Sequence, residues 1–246
     1  MTKLSININK FALVRNSRGS DNPNLIEISK KCIDYGAHGI TAHPRPDERH
    51  IKLSDLEPLN AFIQKNFDKN IEFNIEGYPS ENFCKIVKNI KPNQVTLVPD
   101  PPEALTSSFG WDCSKNKEFL QNVVKNFQDN NIRVSLFINP SIQTLENLSD
   151  ILPDRVELYT FEYAKNFNIN TEMAIKNYLH VTNFLKQLCP SIELNAGHDL
   201  NLQNLNYILK NIPSIKEVSI GHALVCDTFE YGLKETIKKY LSVIKL

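Results

Sequence analysis

Three histidines, an arginine and a glutamate in this chain follow short runs of β-branched residues, at the points where strands would end. His43 and Arg45 stand two positions apart after one run, and Glu76 follows the next. His198 and His222 follow two later runs. Alternate residues of an extended strand project to the same side, so His43 is placed to move a proton while Arg45 holds an anion. These residue types predict acid–base chemistry on an anionic substrate.

Burial is expected to raise the pKa of one of these groups, the carboxyl of Glu76. Glu76 comes directly after an apolar run, and desolvation there would raise its pKa toward that of a working general base. As a purely structural residue it would need a cationic partner, which the sequence does not identify. The other residues predicted to belong to the same site are Asn7, Asn9, Lys10, His50, Glu157 and Asp199.

Two segments have the composition of phosphate-binding sites. Residues 15–19 read Arg-Asn-Ser-Arg-Gly, which predicts a basic loop in which Arg18 contacts a phosphate, or alternatively a solvated loop. Gly221 and His222 follow the last apolar run, where backbone amides of a barrel often bind phosphate. The alternative for Gly221 is a tight turn that needs a positive φ.

The elements that must position these residues alternate along the chain. Eight short apolar runs are separated by longer stretches with helical periodicity, which predicts an α/β fold with repeated βα units. The expected strands are Leu4–Ile8, Gly39–His43, Ile71–Ile75, Gln94–Val98, Arg133–Ile138, Arg155–Tyr159, Ile192–Asn195 and Glu217–Ile220. The expected helices include Asn24–Tyr35, Ser80–Asn89, Lys117–Asn130, Thr171–Leu188 and Thr228–Ile244.

This pattern indicates a (β/α)8 TIM barrel, possibly with extra helices. Most runs are nearly continuous in apolar residues, as expected for parallel strands buried on both faces. The first strand is not followed by the glycine pattern of a Rossmann fold, which argues against a nicotinamide cofactor. In a barrel, all strand ends named above meet over one mouth.

Composition narrows the class of protein. The 246 residues suit one domain spanning 1–246, and 28 basic side chains balance 28 acidic ones, so nucleic acid and membrane surfaces are not expected partners. No signal peptide or membrane-spanning run is apparent. Five widely spaced cysteines indicate neither disulfides nor a zinc cluster, and fit a reducing cytoplasm. Arg45 beside His43 also argues against a metal centre, because a guanidinium would repel a dication.

Taken in order, several motifs resemble the bacterial pyridoxine 5'-phosphate synthase family, which closes the ring of vitamin B6. The resemblance covers almost the whole chain, and its specificity comes from the order and spacing of the motifs. They are Arg-Asn-Ser-Arg-Gly at 15–19, Gly-Ile-Thr-Ala-His-Pro-Arg-Pro-Asp-Glu-Arg-His at 39–50, Thr-Leu-Val-Pro at 96–99, Val-Ser-Leu-Phe-Ile at 134–138, Asn-Ala-Gly-His at 195–198 and Ile-Gly-His at 220–222.

The resemblance implies a (β/α)8 barrel with extra helices that assembles as a homo-octamer and needs no cofactor. It implies a transferase that condenses 1-deoxy-D-xylulose 5-phosphate with 3-amino-2-oxopropyl phosphate. The products would be pyridoxine 5'-phosphate, inorganic phosphate and water. Imine formation, loss of water and phosphate, and an aldol-type closure would each move a proton.

Site roles also follow from the resemblance. His43 corresponds to the first proton acceptor, Glu76 to the second and His198 to the proton donor. The deoxyxylulose phosphate would be bound by Arg45, His50 and Thr106. The aminoketone phosphate would be contacted by Asn7, Arg18, Gly221 and His222.

Two positions depart from the common family pattern. Asn9-Lys10 stands where many members have Asp-His, and Asp199 stands where many have glycine. The first change replaces a hydrogen bond to the sugar phosphate, although a neutral amide and a cation still favour an anionic or hydroxylated substrate. The change at Asp199 is harmless if the backbone at this position, and not the side chain, contacts the substrate.

Two other readings of the sequence remain open. A phosphosugar isomerase, epimerase or aldolase would share the phosphate turn and an acid–base pair, although the sixth strand ends without the lysine that a Schiff-base aldolase needs. A catalytically silent barrel that serves as a binding or scaffold protein should have lost the charged groups at its strand ends, whereas here they are abundant.

Overall fold

Eight parallel strands form one closed barrel in the computed structural model, which describes residues 1–67, 70–100 and 107–245. Each strand pairs with the next along the chain, and the last pairs with the first. The predicted (β/α)8 barrel is therefore confirmed. The strands are β1 (Lys3–Asn7), β2 (Gly39–Ala42), β3 (Glu72–Gly77), β4 (Gln94–Leu97), β5 (Arg133–Ile138), β6 (Arg155–Tyr159), β7 (Glu193–Gly197) and β8 (Ile215–Ile220).

Helices surround the barrel. They are α1 (Asn9–Arg18), α2 (Leu25–Asp34), α3 (Leu53–Asn66), α4 (Glu81–Ile90), α5 (Lys117–Gln128), α6 (Leu148–Ile151), α7 (Phe161–Asn166), α8 (Thr171–Leu188), α9 (Leu205–Asn211), α10 (His222–Tyr231) and α11 (Leu233–Ile244). Several begin at side-chain caps: Ser80 accepts from the Phe83 amide, and Asn170 from the Met173 amide. None of the described helices is long and apolar enough to cross a bilayer.

The barrel wall has one apolar face and one polar face. Along β3, Phe73 and Ile75 belong to the core between strands and helices, whereas the alternate Asn74 bonds to Thr41 and Thr96 of the neighbouring strands. The predicted burial on both faces is confirmed for β3, and the second buried face is polar. The polar side chains are tolerated because they hydrogen-bond to one another across the barrel.

Two local expectations are also corrected. Residues 15–18, predicted as a loop, form the last turns of α1, which ends at Gly19 with φ +68°. The helix predicted over Thr228–Ile244 is two helices, α10 and α11, because the chain turns at Gly232 with φ +74°. A positive φ suits glycine and breaks helical geometry.

Ion pairs fill the barrel at the ends where the strands begin. Glu72 lies within hydrogen-bond range of Lys3, at 2.8 Å, and of Arg133. Arg155 pairs with Glu193 at 2.9 Å and lies 3.5 Å from Glu72. Burial alone would raise the pKa of Glu72, but the bond from Lys3 and the charges of both arginines hold its pKa at about 2.

Candidate active site

A cavity of about 470 Å³ opens where the strands end. Its volume is typical of sites that hold small molecules. The cavity brings together residues from the ends of all eight strands and from the segments that follow them. Of the residues predicted for the site, it is lined by Asn7, Asn9, Lys10, His43, Arg45, His50, Glu76, Glu157, His198, Asp199, Gly221 and His222.

Glu76 lies on β3 and lines this cavity. Its Oε2 is 3.7 Å from Nδ1 of His43 and 3.4 Å from Nδ2 of Asn7. Burial raises the pKa of Glu76 to about 7, with a further contribution from the charge of Asp100. A carboxyl group with this pKa can both accept and release a proton at neutral pH.

His43 is a neutral base at neutral pH. Burial lowers its pKa well below the ordinary histidine value, and the charge of Arg45 lowers it further. Its backbone N–H donates to Oδ1 of Asn9 at 2.9 Å, which anchors the end of β2 to the start of α1. Burial and Arg45 also lower the pKa of His50, to about 4.

His50 has a defined tautomer. Its Nδ1 accepts the backbone N–H of Ile51 at 2.9 Å, so the ring proton is carried by Nε2. A neutral imidazole with Nε2–H is a hydrogen-bond donor for an anionic oxygen.

Arg45 is held by a buried carboxylate that the sequence analysis did not identify. Its Nη2 donates to Oδ2 of Asp100 at 2.8 Å, and Ser107 Oγ donates to the same oxygen at 2.6 Å. Asp100 follows β4 in Val-Pro-Asp, and this position after an apolar strand was a usable signal. The pair keeps the guanidinium at the cavity wall.

Glu157 of β6 is buried beside β7. A Cβ atom on Gly197 would lie 2.2 Å from Oε1 of Glu157, so only glycine permits this approach. Burial raises the pKa of Glu157 well above its ordinary range, and the charges of Glu76 and Glu217 add to the effect. The raised pKa favours the neutral carboxylic acid, which can donate a hydrogen bond.

His198 and Asp199 form the turn after β7. Nδ1 of His198 lies 2.7 Å from Oδ2 of Asp199. The hydrogen bond with His198 lowers the pKa of Asp199 against the opposing effect of burial. The ring of His198 packs edge-on against Tyr159, with centroids 4.8 Å apart.

The start of α10 lines the cavity at the end of β8. Gly221 precedes this helix and no side chain caps it, so the first backbone N–H groups of the helix are not satisfied by a capping side chain. A Cβ on Gly221 would lie 3.1 Å from Cβ of Asn7, which explains the close approach of β8 to β1. His222 is the first residue of the helix and lines the cavity.

Arg15 and Arg18 lie in the helix α1 and not in a loop as predicted. Arg15 is buried, and both of its Nη atoms donate to Asp55, at 2.7 and 2.8 Å. It is therefore engaged in holding α1 against α3. Arg18 is exposed at the last turn of α1 and lies outside the cavity lining. Thr106 lies outside the described residues.

Several cavity residues escaped the sequence analysis. Arg49 and Ser107 add polar groups, and Phe137 and Phe161 form an apolar wall. Arg49 stands beside His50 in the motif at 39–50, and Phe137 lies in the motif at 134–138, so their positions were usable signals. Nothing in the sequence singles out Phe161. Among the residues that the structure describes, no group of three or more His, Cys, Asp or Glu side chains is arranged to hold a metal ion.

Comparison with known proteins gives a family for this chain. Residues 4–246 match the model of the family described as "Pyridoxal phosphate biosynthesis protein PdxJ". The chain belongs to this family. It is 49% identical over 245 residues to the pyridoxine 5'-phosphate synthase of Cytophaga hutchinsonii, and 47% identical over 245 residues to that of Bacteroides thetaiotaomicron, covering 100% of both chains in each comparison.

The similarity of this PdxJ-family chain to solved structures supports only its fold. A tryptophan synthase from M. tuberculosis matches with a TM-score of 0.67 at 11% identity, over 100% of this chain and 93% of the other. A phosphoribosylanthranilate isomerase from Thermotoga maritima matches with a TM-score of 0.56 at 15% identity, over 100% and 99% of the two chains. Both likenesses agree with the closed parallel barrel.

Proposed function

We propose that the protein is a pyridoxine 5'-phosphate synthase. It condenses 1-deoxy-D-xylulose 5-phosphate with 3-amino-2-oxopropyl phosphate into pyridoxine 5'-phosphate, phosphate and water. The observation that carries the proposal is the convergence of His43, Glu76 and His198 from three strand ends on one cavity, which Arg45, His50, Gly221 and His222 also line. The family and the names of the relatives support the same activity.

The first anion-binding region holds the deoxyxylulose phosphate in this proposal. Arg45 offers a guanidinium fixed by Asp100, and His50 offers Nε2–H. Asn9 and Lys10, at the start of α1, line the same cavity and complete the region. Lys10 brings a fixed positive charge, so it replaces a titrating histidine without loss of attraction for the phosphate. Thr106 is proposed as a further ligand.

The second region holds the aminoketone phosphate. The N-terminus of α10 contributes backbone N–H groups and the positive end of the helix dipole, and His222 stands at its first position. Asn7 contacts both Gly221 and Glu76, which places this substrate against the proposed general base. Arg18 is proposed to contact the same substrate from the rim, and Asp199 to contact it through its backbone.

Acid–base groups then serve the proton transfers. Glu76 and the neutral His43 accept protons as the imine forms and rearranges, and His198 donates one to a departing oxygen. Glu157 remains protonated and donates a hydrogen bond to an oxygen on which negative charge develops. These steps use only side chains of the protein. We further propose a cytoplasmic homo-octamer, as the family resemblance implies.

The test is turnover by purified protein. Incubation with both phosphorylated substrates should give the pyridoxine phosphate absorbance together with inorganic phosphate, and omission of either substrate should abolish both signals. H198N should fold normally and give neither product at the wild-type rate. Release of phosphate without the pyridine chromophore, or no product at all, would contradict the proposal.

A further inference from the structure

In the turn after β7, the side chains of His198 and Asp199 interact with each other. The roles proposed above for these two residues do not explain this interaction. Nδ1 of His198 and Oδ2 of Asp199 are 2.7 Å apart, the distance of a charge-assisted hydrogen bond. Both residues line the cavity. Asp199 therefore touches the proposed proton donor itself, in addition to facing the space for substrate.

The backbone of this turn is unusual. His198 has φ +87° and Asp199 has φ +59°, and non-glycine residues rarely adopt such values. Thr160 Oγ1 donates to the carbonyl of His198 at 2.5 Å, and Asn204 Nδ2 to that of Asp199 at 3.2 Å. Strained conformations persist where the surroundings impose them, and they cluster at functional sites.

We propose that Asp199 is a positioning residue for His198: its carboxylate accepts the Nδ1 proton, so that the ring delivers its transferable proton from Nε2. The inference rests on the proposed function for the reaction by which it is assayed. Asp199 was predicted to contact substrate, and this role is a different one because it acts through the histidine.

The surroundings of the ring explain why a carboxylate is needed. Tyr159 and Phe161 meet the ring of His198 edge-on, at interplanar angles of 86° and 84°. These contacts fix the plane of the imidazole but do not decide which nitrogen carries a proton. An ionised carboxylate has no proton to donate, so its hydrogen bond requires Nδ1–H. The lowered pKa of Asp199, to which the charge of His222 on α10 also contributes, keeps this group ionised.

The proton balance is simple. The doubly protonated ring loses the proton at Nε2, and the electron pair of that N–H bond stays on the nitrogen. The proton forms an O–H bond on the departing substrate oxygen. Nδ1 keeps its proton throughout, and Asp199 stays ionised.

Two substitutions at Asp199 separate charge from backbone strain. D199N keeps the size of the side chain and tolerates the positive φ but removes the charge, whereas D199G removes the whole side chain and suits the backbone. The matched control is E162Q, which removes one negative charge from exposed Glu162 of α7, next to Phe161 and bonded to Asn166.

Steady-state kinetics give the first readout. We expect kcat to fall by about ten- to a hundredfold in D199N and D199G, with KM for both substrates changed by less than about threefold. The Tm of D199G should equal or exceed that of the wild type, since glycine relieves the strained turn. E162Q should keep kcat within about twofold of the wild type. Unchanged kcat in D199G, or a loss confined to KM, would overturn the inference.

Nitrogen NMR of histidine-labelled protein gives a readout that needs no turnover. The His198 signals are assigned by comparison with H198N. A protonated Nδ1 is expected at neutral pH in the wild type and in E162Q, with its proton signal lost in D199G. An unprotonated Nδ1 in the wild type would overturn the inference. If the wild type makes no product, the proposed function fails while this experiment still decides the role of Asp199.

Discussion

At the scale of single residues, the charge state of Glu76 links activity to stability. E76Q should lower kcat by at least about a hundredfold, because an amide cannot accept a proton. At pH values above about 7 the same change should raise Tm, because the wild-type carboxyl ionises there at a cost in free energy. The pKa of Glu76 lies at about 7 when folded and above its ordinary value of 4.5, so the cost grows as pH rises between these two values.

Thermal denaturation of E76Q and the wild type over this pH range checks the prediction. The two Tm values should converge below the ordinary pKa of 4.5, where the carboxyl is protonated in the folded and the unfolded chain. A constant Tm difference at every pH would show that Glu76 is not the titrating group. Near-wild-type kcat would remove it from the proposed mechanism.

Asp100 acts on two neighbours at once. In D100N the charge that raises the pKa of Glu76 is removed, so this pKa should fall. The acid limb of the pH profile, where kcat/KM decreases as Glu76 is protonated, should therefore move to lower pH. Arg45 also loses its anionic partner, and KM for the deoxyxylulose phosphate should rise by about tenfold. S107A is the matched control, because it removes only the hydroxyl bond to Asp100 and should leave the limb in place. An unmoved limb in D100N would contradict this account.

Residue-scale prediction from sequence had a definite limit. His43, Glu76 and Glu157 were identifiable because each stands at or near the end of an apolar run. The partners of these residues were not, because Asp100 meets Arg45 only after β2 and β4 are brought to the same mouth. Spacing along the chain reports what a residue is near in sequence, and pairing across strand ends is fixed by the closure of the barrel.

At the scale of elements, the approach of β6 to β7 depends on one missing side chain. G197A would place a Cβ atom 2.2 Å from Oε1 of buried Glu157, so the carboxyl group or the strand must move. We expect a lower Tm and a fall in kcat of about tenfold or more, because Glu157 and the adjoining His198 are both displaced. Circular dichroism melts and initial rates check both effects.

The control for this substitution is G232A. Gly232 has φ +74° and no atom within 4 Å of a built Cβ, so alanine there adds backbone strain without a clash. It joins α10 to α11, away from the cavity lining. Its Tm should fall while kcat stays within about twofold of the wild type. Equal loss of kcat in both variants would show that general destabilisation, and not the position of Glu157, explains G197A.

Element boundaries show what the sequence could and could not predict. Thr171–Leu188 and Arg155–Tyr159 were predicted to the residue, because apolar periodicity and caps mark their ends. The helix α1 was missed because its buried face includes Arg15, whose partner Asp55 lies 40 residues away. A charged residue breaks the apolar pattern of a helix, and only the folded chain shows that the charge is paired.

At the scale of the whole molecule, the two ends of the barrel have separate tasks. The end where strands begin is closed by ion pairs around Glu72, and the other end holds the cavity. E72Q should lower the free energy of unfolding by about 3 kcal/mol, because Arg133 and Arg155 lose a buried partner. Its kcat should stay at the wild-type value, since the substitution lies far from the proposed reaction.

Chemical denaturation of E72Q at several pH values checks this expectation. The pKa of Glu72 is about 2 when folded and below its ordinary 4.5, so its stabilisation is complete above that ordinary value and is lost as pH falls toward the folded one. The difference from the wild type should therefore shrink in acid. K3M is the control: Lys3 is partly exposed, and its loss should cost less than about 1 kcal/mol. A loss of unfolding free energy in K3M as large as that in E72Q would contradict the central role given to Glu72 in these ion pairs.

The buried carboxyls have a consequence for the protein in an electric field. The count of 28 acidic and 28 basic side chains gives a formal net charge of zero. Burial raises the pKa of Glu217 to about 8 and also raises the pKa of Glu157, so the folded barrel is more positively charged than its formula at neutral pH. Native isoelectric focusing should therefore place the folded protein above its sequence value of about 7.0, and the urea-unfolded chain should return to it.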